Sequence, residues 1–160
     1  MHGLKSHLQK LFAYDSWANR KALDALKAAQ ASPSGLPQVA LDSFVHLVAA
    51  RRIWVGRCDK RHAIVMSFRP ALGLSAAEVL LAEAEALWDS FFALLDATAL
   101  DKPIQFTDSH GNPYTQRLAD MLQHVALHSA HHRGQVASTL RTAGLVPQDA
   151  DYYISPMAQA

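Results

Sequence analysis

Cysteine is nearly missing from this chain. Its single one, Cys58, rules out a disulfide framework within the chain. Long apolar runs are missing too, and no stretch approaches the ~20 apolar residues of a membrane span. The first ten residues, Met1 to Lys10, lack the apolar core of a secretory signal, so the cytoplasm is the expected compartment. Nor is there an excess of one charge. Fifteen Lys and Arg stand against fourteen Asp and Glu, for a net charge of +1. Such a balance leaves no electrostatic footprint for nucleic acid or for an anionic membrane, and neither is expected as a partner.

What is present is apolar residue and histidine. Half of the 160 residues are hydrophobic, which argues for a packed core, and the length suits one domain spanning residues 1–160. Nine residues are histidine, and four of them fall between positions 124 and 132.

Four helices are expected. Leu4, Leu8, Leu11, Ala18, Ala22 and Leu26 recur at helical spacing over residues 4–29. Ser32-Pro-Ser-Gly-Leu-Pro37 interrupts them. A second helix covers residues 38–59, with Val39, His46, Ala50 and Ile53 on one side. Ser75-Ala-Ala-Glu78 reads as a capping box opening a third helix. The last helix runs over residues 115–143, stopped by Gly144 at C′ and by Pro147. Between the third and fourth, Ile104 and Phe106 alternate with Gln105 and Thr107, and Asp108-Ser-His-Gly111 is turn chemistry, so a small β-hairpin fits there. Four amphipathic helices in one domain make an all-α four-helix bundle, with connections long enough for a crossover. The tail is irregular, with Tyr152, Tyr153 and Ile154 as candidate anchors.

Helical phase sorts the histidines. At roughly 100° per residue, with His128 at zero, the stripe of Leu118, Met121, Val125, Val136 and Leu140 centres near 70°. His132 falls at about 40°, inside it; His128 lies on its edge; His124 and His131 fall on the far flank. His128 and His132 are therefore i, i+4 neighbours able to share one metal ion, the spacing used by His-Glu-x-x-His zinc sites. Two imidazoles make a weak site, and His46, on the core side of the second helix, is the natural third ligand. The competing pair is His124 with His128. The bland alternative is buried histidines that satisfy one another by hydrogen bonds, with no metal.

Three histidines leave a divalent metal with open positions, and no fourth ligand is evident. Asp120 is on the far flank, and Asp42 is a weak candidate one turn before His46. Imidazole suits zinc, nickel, copper or iron, with zinc or nickel favoured. Gln135 can orient a ligand from behind, or be a polar flank. Arg133 points away from the core and can pair with a carboxylate or an anionic substrate. Gly134 inside the helix invites close approach of another helix or subunit. His124 and His131 are expected at the surface or behind the ligands, and His2, His7, His62 and His110 in solvent. Cys58 reads as a small buried hydrophobe rather than a reactive thiol. Tyr14 and Trp17 read as packing, and Asn19 as a hydrogen-bonding residue inside the first helix.

Three segments, in order, resemble the DinB-like (YfiT-like) metalloenzyme family along nearly the whole chain. They are Tyr14-Asp-Ser-Trp17-Ala-Asn19, His46 followed by Trp54, and His128-Ser-Ala-His131-His132-Arg-Gly-Gln135. The resemblance implies an up-down-down-up bundle, often a homodimer, with His46, His128 and His132 as metal ligands. It also implies thiol-dependent chemistry, an S-transferase-type reaction on a small molecule with a low-molecular-weight thiol as cosubstrate. Metal-dependent hydrolysis is the runner-up, and a non-catalytic, stress-related metal-binding protein the third reading. His131 stands where the family often has an aromatic residue.

Overall fold

A computed structural model describes residues 3–62 and 64–159. The element order is α1 (Leu4–Ala31), α2 (Gln38–Cys58), α3 (Leu74–Leu94), a 3₁₀ turn at Ala97–Asp101, β1 (Pro103–Thr107), β2 (Pro113–Arg117), α4 (Leu118–Thr142) and a 3₁₀ turn at Tyr152–Ile154. The expected four-helix bundle with a two-stranded antiparallel hairpin between α3 and α4 is what the chain forms.

Helix directions follow from which residues meet. The short link over residues 32–37 reverses the chain between α1 and α2. Lys5 donates to the Leu95 carbonyl, Phe12 packs on Trp88, and Lys27 reaches Glu78, so α3 runs antiparallel to α1. His46 meets His132 and Trp54 meets His124, so α4 runs antiparallel to α2. The sense is therefore up-down-down-up. Its one parallel step, α2 to α3, uses the long connection over residues 59–73.

Apolar packing forms two clusters stacked along the bundle. One gathers Leu26, Phe44, Leu47, Leu81, Val136 and Leu140; the other gathers Phe12, Trp54, Trp88, Phe91, Leu122 and Val125. Between them lies a layer of polar side chains, Asp15 and Asn19 from α1, Arg51 from α2, Glu85 from α3, and Ser129, His132 and Arg133 from α4. The metal candidates belong to this layer.

Three local expectations need correction. The helix starting at Ser75 begins instead at Leu74, with Gly73 as N-cap and no side-chain cap bond. Leu74 is buried in the first apolar cluster, and that burial draws the helix back one residue, while Glu78 pairs with Lys27. The last helix begins at Leu118 rather than Thr115. Tyr114 and Gln116 pair with Phe106 and Ile104, so the hairpin claims those residues. Of the three tail candidates Tyr152 makes the ring contact, against Tyr14 at 5.0 Å, beside a hydrogen bond from the Tyr14 hydroxyl to the Ala150 carbonyl. Tyr153 is largely exposed, and Ile154 is partly so.

The hairpin turn is as its sequence suggests. Asp108 Oδ1 accepts from the backbone N–H of His110 and Asn112, and Gly111 takes φ +87°. None of the helices in the described residues is long and apolar enough to cross a membrane.

Candidate metal centre

α2 and α4 each present imidazoles at the same height because they cross antiparallel at mid-bundle. His46, His128 and His132 each offer a ring nitrogen, and these three atoms lie within 4.8 Å of one another. The ring of His46 is 4.5 Å from that of His132 and 5.2 Å from that of His128. His132 is buried and the other two are half-buried.

Hydrogen bonds set the tautomers. His46 Nδ1 donates to the Phe68 carbonyl oxygen at 2.8 Å, which leaves its Nε2 bare. His132 Nδ1 donates to Gln135 Oε1 at 2.6 Å, and the Gln135 amide donates in turn to His131 Nε2 at 3.1 Å. His132 Nε2 is therefore also bare, and it faces His128 Nε2 at 3.2 Å. Without an ion, one proton on His128 Nε2 satisfies both atoms. With an ion, both lone pairs turn to it. At an Nε2–metal bond of 2.0–2.1 Å, two ligands of a tetrahedral site stand about 3.3 Å apart, and adjacent ligands of an octahedral site about 2.9 Å. The His128–His132 separation suits either, and with His46 in the same 4.8 Å cluster the chemistry of the donor set fits a divalent transition metal without choosing among them.

Electrostatics favour the neutral ligand forms. Burial, followed by the neighbouring His132 and His46, pulls His128 down from 6.5 to about 3. Burial lowers His46 and His132 as well, against the raising effect of the bonds to Phe68 and Gln135. Imidazoles that stay neutral at pH 7 need lose no proton to bind a cation.

The other candidates take distinct places. His124 is also lowered by burial and packs its ring on Trp54 at 5.1 Å and on His128 at 5.8 Å, outside the triad. This favours the His128–His132 pair over His124 with His128. His131 is exposed, sets its ring edge-on against that of His132 at 5.0 Å, and accepts from the Gln135 amide. His7 and His110 are exposed, His62 is half-buried near Asp59, and His2 lies outside the described residues. Asp42 bonds Gln38 and Asp120 bonds Arg117, so neither carboxylate joins the histidines.

Arg133 corrects the phase reading in direction, though it does pair with a carboxylate. It turns back along α4 toward α1, where it pairs with Asp15 and donates to Asn19 Oδ1 at 2.7 Å. Asp15 also pairs with Arg51, and both are 1% exposed. Asn19 is fully buried and makes the expected hydrogen bonds. Arg133 thus locks α4 against α1 immediately beside His132. Sequence reading missed Asp15 and Arg51, although the signal was there. Asp15 lies on the apolar line of Leu8, Phe12 and Leu23, and Arg51 on that of Phe44, Val48 and Val55. A charge on a core line needs a partner. Gly134 has open space where a Cβ would stand, so no close approach by the described residues accounts for it.

Two of the three histidines, His46 and His128, line a cavity of about 740 Å³, walled further by Trp54, Phe68, Phe106, Tyr114, Met121 and His124 among others. The hairpin supplies Phe106 and Tyr114, stacked at 5.6 Å. Such a volume accommodates a small organic molecule.

The model of the DinB family matches residues 4–159. The chain belongs to the DinB family. No match is found among curated proteins. In this DinB chain, the three segments quoted above converge on one layer. Tyr14, with its ring under the Arg133 guanidinium, and Asp15 and Asn19 from the first brace Arg133 from the third, and His46 from the second completes the triad with His128 and His132.

Proposed function

We propose that His46, His128 and His132 bind a divalent metal, zinc or nickel, and that the protein is a metal-dependent enzyme of the thiol S-transferase type. The observation that carries this reading is the pair of bare imidazole nitrogens, each fixed from behind by an acceptor, converging with a third imidazole beside an organic-sized cavity that His46 and His128 line. A divalent ion held there supplies a Lewis acid with open positions that favours the anionic form of a bound thiol or water.

The chain's own thiol is unsuited to the work. Burial pushes Cys58 up to about 12, so a thiolate nucleophile comes from a low-molecular-weight cosubstrate. Its S–H proton passes to solvent or to His124 in the cavity wall. Its sulfur then forms a bond to the electrophilic carbon, and the leaving group departs with the electron pair of the broken bond. Gln135 orients His132, and Arg133 holds α4 in register. Neither touches the reacting atoms.

Hydrolysis of an ester or amide is the second reading, since the same open site also serves a water. A third, non-catalytic metal binding linked to stress, predicts metal uptake without turnover. A cytoplasmic homodimer is part of the proposal.

Elemental analysis after metal loading is the first test, with one equivalent expected in wild type and little in His132→Ala. The loaded protein is then assayed against electrophiles with a panel of small thiols, and against esters and amides. Equal metal in wild type and His132→Ala would overturn the site. Absence of metal-dependent turnover on every substrate would overturn the enzyme.

A further inference from the structure

Arg57 ends α2 in an unusual setting. Its guanidinium lies 4.6 Å from the centre of the Trp54 ring, 5.2 Å from that of Phe68 and 5.3 Å from that of Phe106. One bond, from Nη2 to the Thr107 carbonyl oxygen at 2.5 Å, is the only hydrogen bond it makes among the described residues. No carboxylate there pairs with it. Asp108 acts on it from beyond ion-pair range, and that carboxylate is occupied by the hairpin turn, accepting from His110, Asn112 and the Asn112 amide. A half-buried guanidinium with several N–H donors left over, facing a cavity, is a binding group for a planar anion.

Its position fixes what shape of anion. Arg57 stands eleven residues along α2 from His46, a rise of roughly 16 Å, shortened where the side chain folds back over Trp54. The space between is walled by rings, since Trp54 leads to His124, and His124 to His128. A ligand that reaches both ends needs a flat apolar body between them. The second guanidinium of the wall, Arg69, acts on His46 and His132 and so belongs to the histidine end.

We propose that this cavity takes an organic anion with a flat, apolar body, its carboxylate on Arg57 and its reacting end toward the histidines. The assignment rests on reading the cavity as the substrate site of the proposed enzyme, and it adds the chemical class of the substrate. The aromatic faces stack on the body, and the cation above them selects the charge.

The test measures binding of 2-naphthoate and of its neutral counterpart 2-naphthamide, by calorimetry, to metal-loaded wild type and to metal-free wild type. A metal ion also binds carboxylates, and the metal-free arm separates its hold from that of the arginine. Naphthoate is expected to bind metal-free wild type about tenfold or more tightly than naphthamide, the worth of one charge-assisted hydrogen-bonded pair. Arg57→Gln should abolish that preference while naphthamide binding stays unchanged. Arg57→Lys, which keeps the charge but loses the fork, should retain part of it. If Arg57→Gln loses naphthamide as well, its cavity has deformed, and the wild-type preference together with Arg57→Lys decides. Equal affinity for the two ligands in metal-free protein overturns the proposal. So does a preference seen only with metal and insensitive to Arg57→Gln, an outcome that leaves the metal centre standing. Failure to bind metal, with the Arg57-dependent preference intact, overturns the metal centre and leaves the anion subsite.

Discussion

His128 is held neutral at a pH where a free histidine is half protonated. Its value falls from 6.5 to about 3 through burial and the neighbouring imidazoles, and His46, His132 and His124 shift the same way. As pH drops below 6.5 the unfolded chain takes up protons that the folded chain refuses at these histidines, in the case of His128 until about pH 3. The stability tied to these groups is thus fully present above 6.5 and is lost as pH falls toward 3. Thermal melts of the metal-free protein should decline steeply across that window, and His128→Asn should decline less. Equal slopes would show that His128 is not the group responsible. Bound metal should be released over the same range, because protons compete for the lone pairs. Gln135 gives a second test. Its Oε1 accepts from His132 Nδ1 at the back of the site. Gln135→Leu removes that acceptor and should weaken metal affinity roughly 10–100-fold. Gln135→Glu, which still accepts, should restore much of it. Competition with a coloured chelator measures both. Because Gln135 is exposed, a large loss of melting temperature in Gln135→Leu would point to a structural role instead.

The end of α4 is a Schellman motif. Leu145 N–H bonds the Leu140 carbonyl, Gly144 N–H bonds that of Arg141, and Gly144 takes φ +73°. Gly144→Ala should cost about 1–2 kcal/mol in denaturant melts, from the left-handed backbone alone. The helix-to-helix clamp is worth more. Asp15→Ala leaves Arg51 and Arg133 facing each other without their shared carboxylate, and breaking a buried pair costs about 3–5 kcal/mol. A loss below 1 kcal/mol would show that solvent reaches the layer. These elements also show what the sequence could disclose. Gly144, the hairpin turn and the four helices were legible because local chemistry decides them. The i, i+4 pairing of His128 and His132 was legible for the same reason, since one helix sets it. The direction of Arg133 was not, because a long side chain departs from the phase of its Cα when a partner such as Asp15 waits on another helix. The start of α3 at Leu74 and the extent of β2 were hidden likewise. Burial of Leu74 and pairing of Tyr114 with Phe106 are tertiary facts that override local propensity. Arg57 and its three rings were unreadable until α2, the connection after it and the hairpin came together.

Across the whole molecule, two apolar clusters are joined by a polar middle layer, and the two sides of that layer are braced differently. Toward α1 it is cross-linked by Asp15, Arg51, Asn19 and Arg133. Between α2 and α4 the histidines meet by ring contact, with His128 and His132 sharing one hydrogen bond within α4 and His46 bonded, among the described residues, to the Phe68 carbonyl. A metal ion bound by all three would join α2 to α4 directly, and since the unfolded chain does not hold that arrangement, binding must stabilise the fold. At free metal about 100 times the dissociation constant the gain is about 2.7 kcal/mol. For a chain of this length that corresponds to a rise in melting temperature of roughly 5–11 °C. His46→Ala and His132→Ala should each lose the increment, though they sit on different helices. Gly144→Ala, at the far end of α4, should melt lower than wild type yet gain the same increment on loading, because distant sites add. Calorimetry of the four proteins with and without zinc or nickel decides the matter. A rise in wild type that survives in either histidine variant would mean that the ion binds elsewhere. A rise lost in His132→Ala but kept in His46→Ala would mean that it binds α4 alone and does not bridge the bundle.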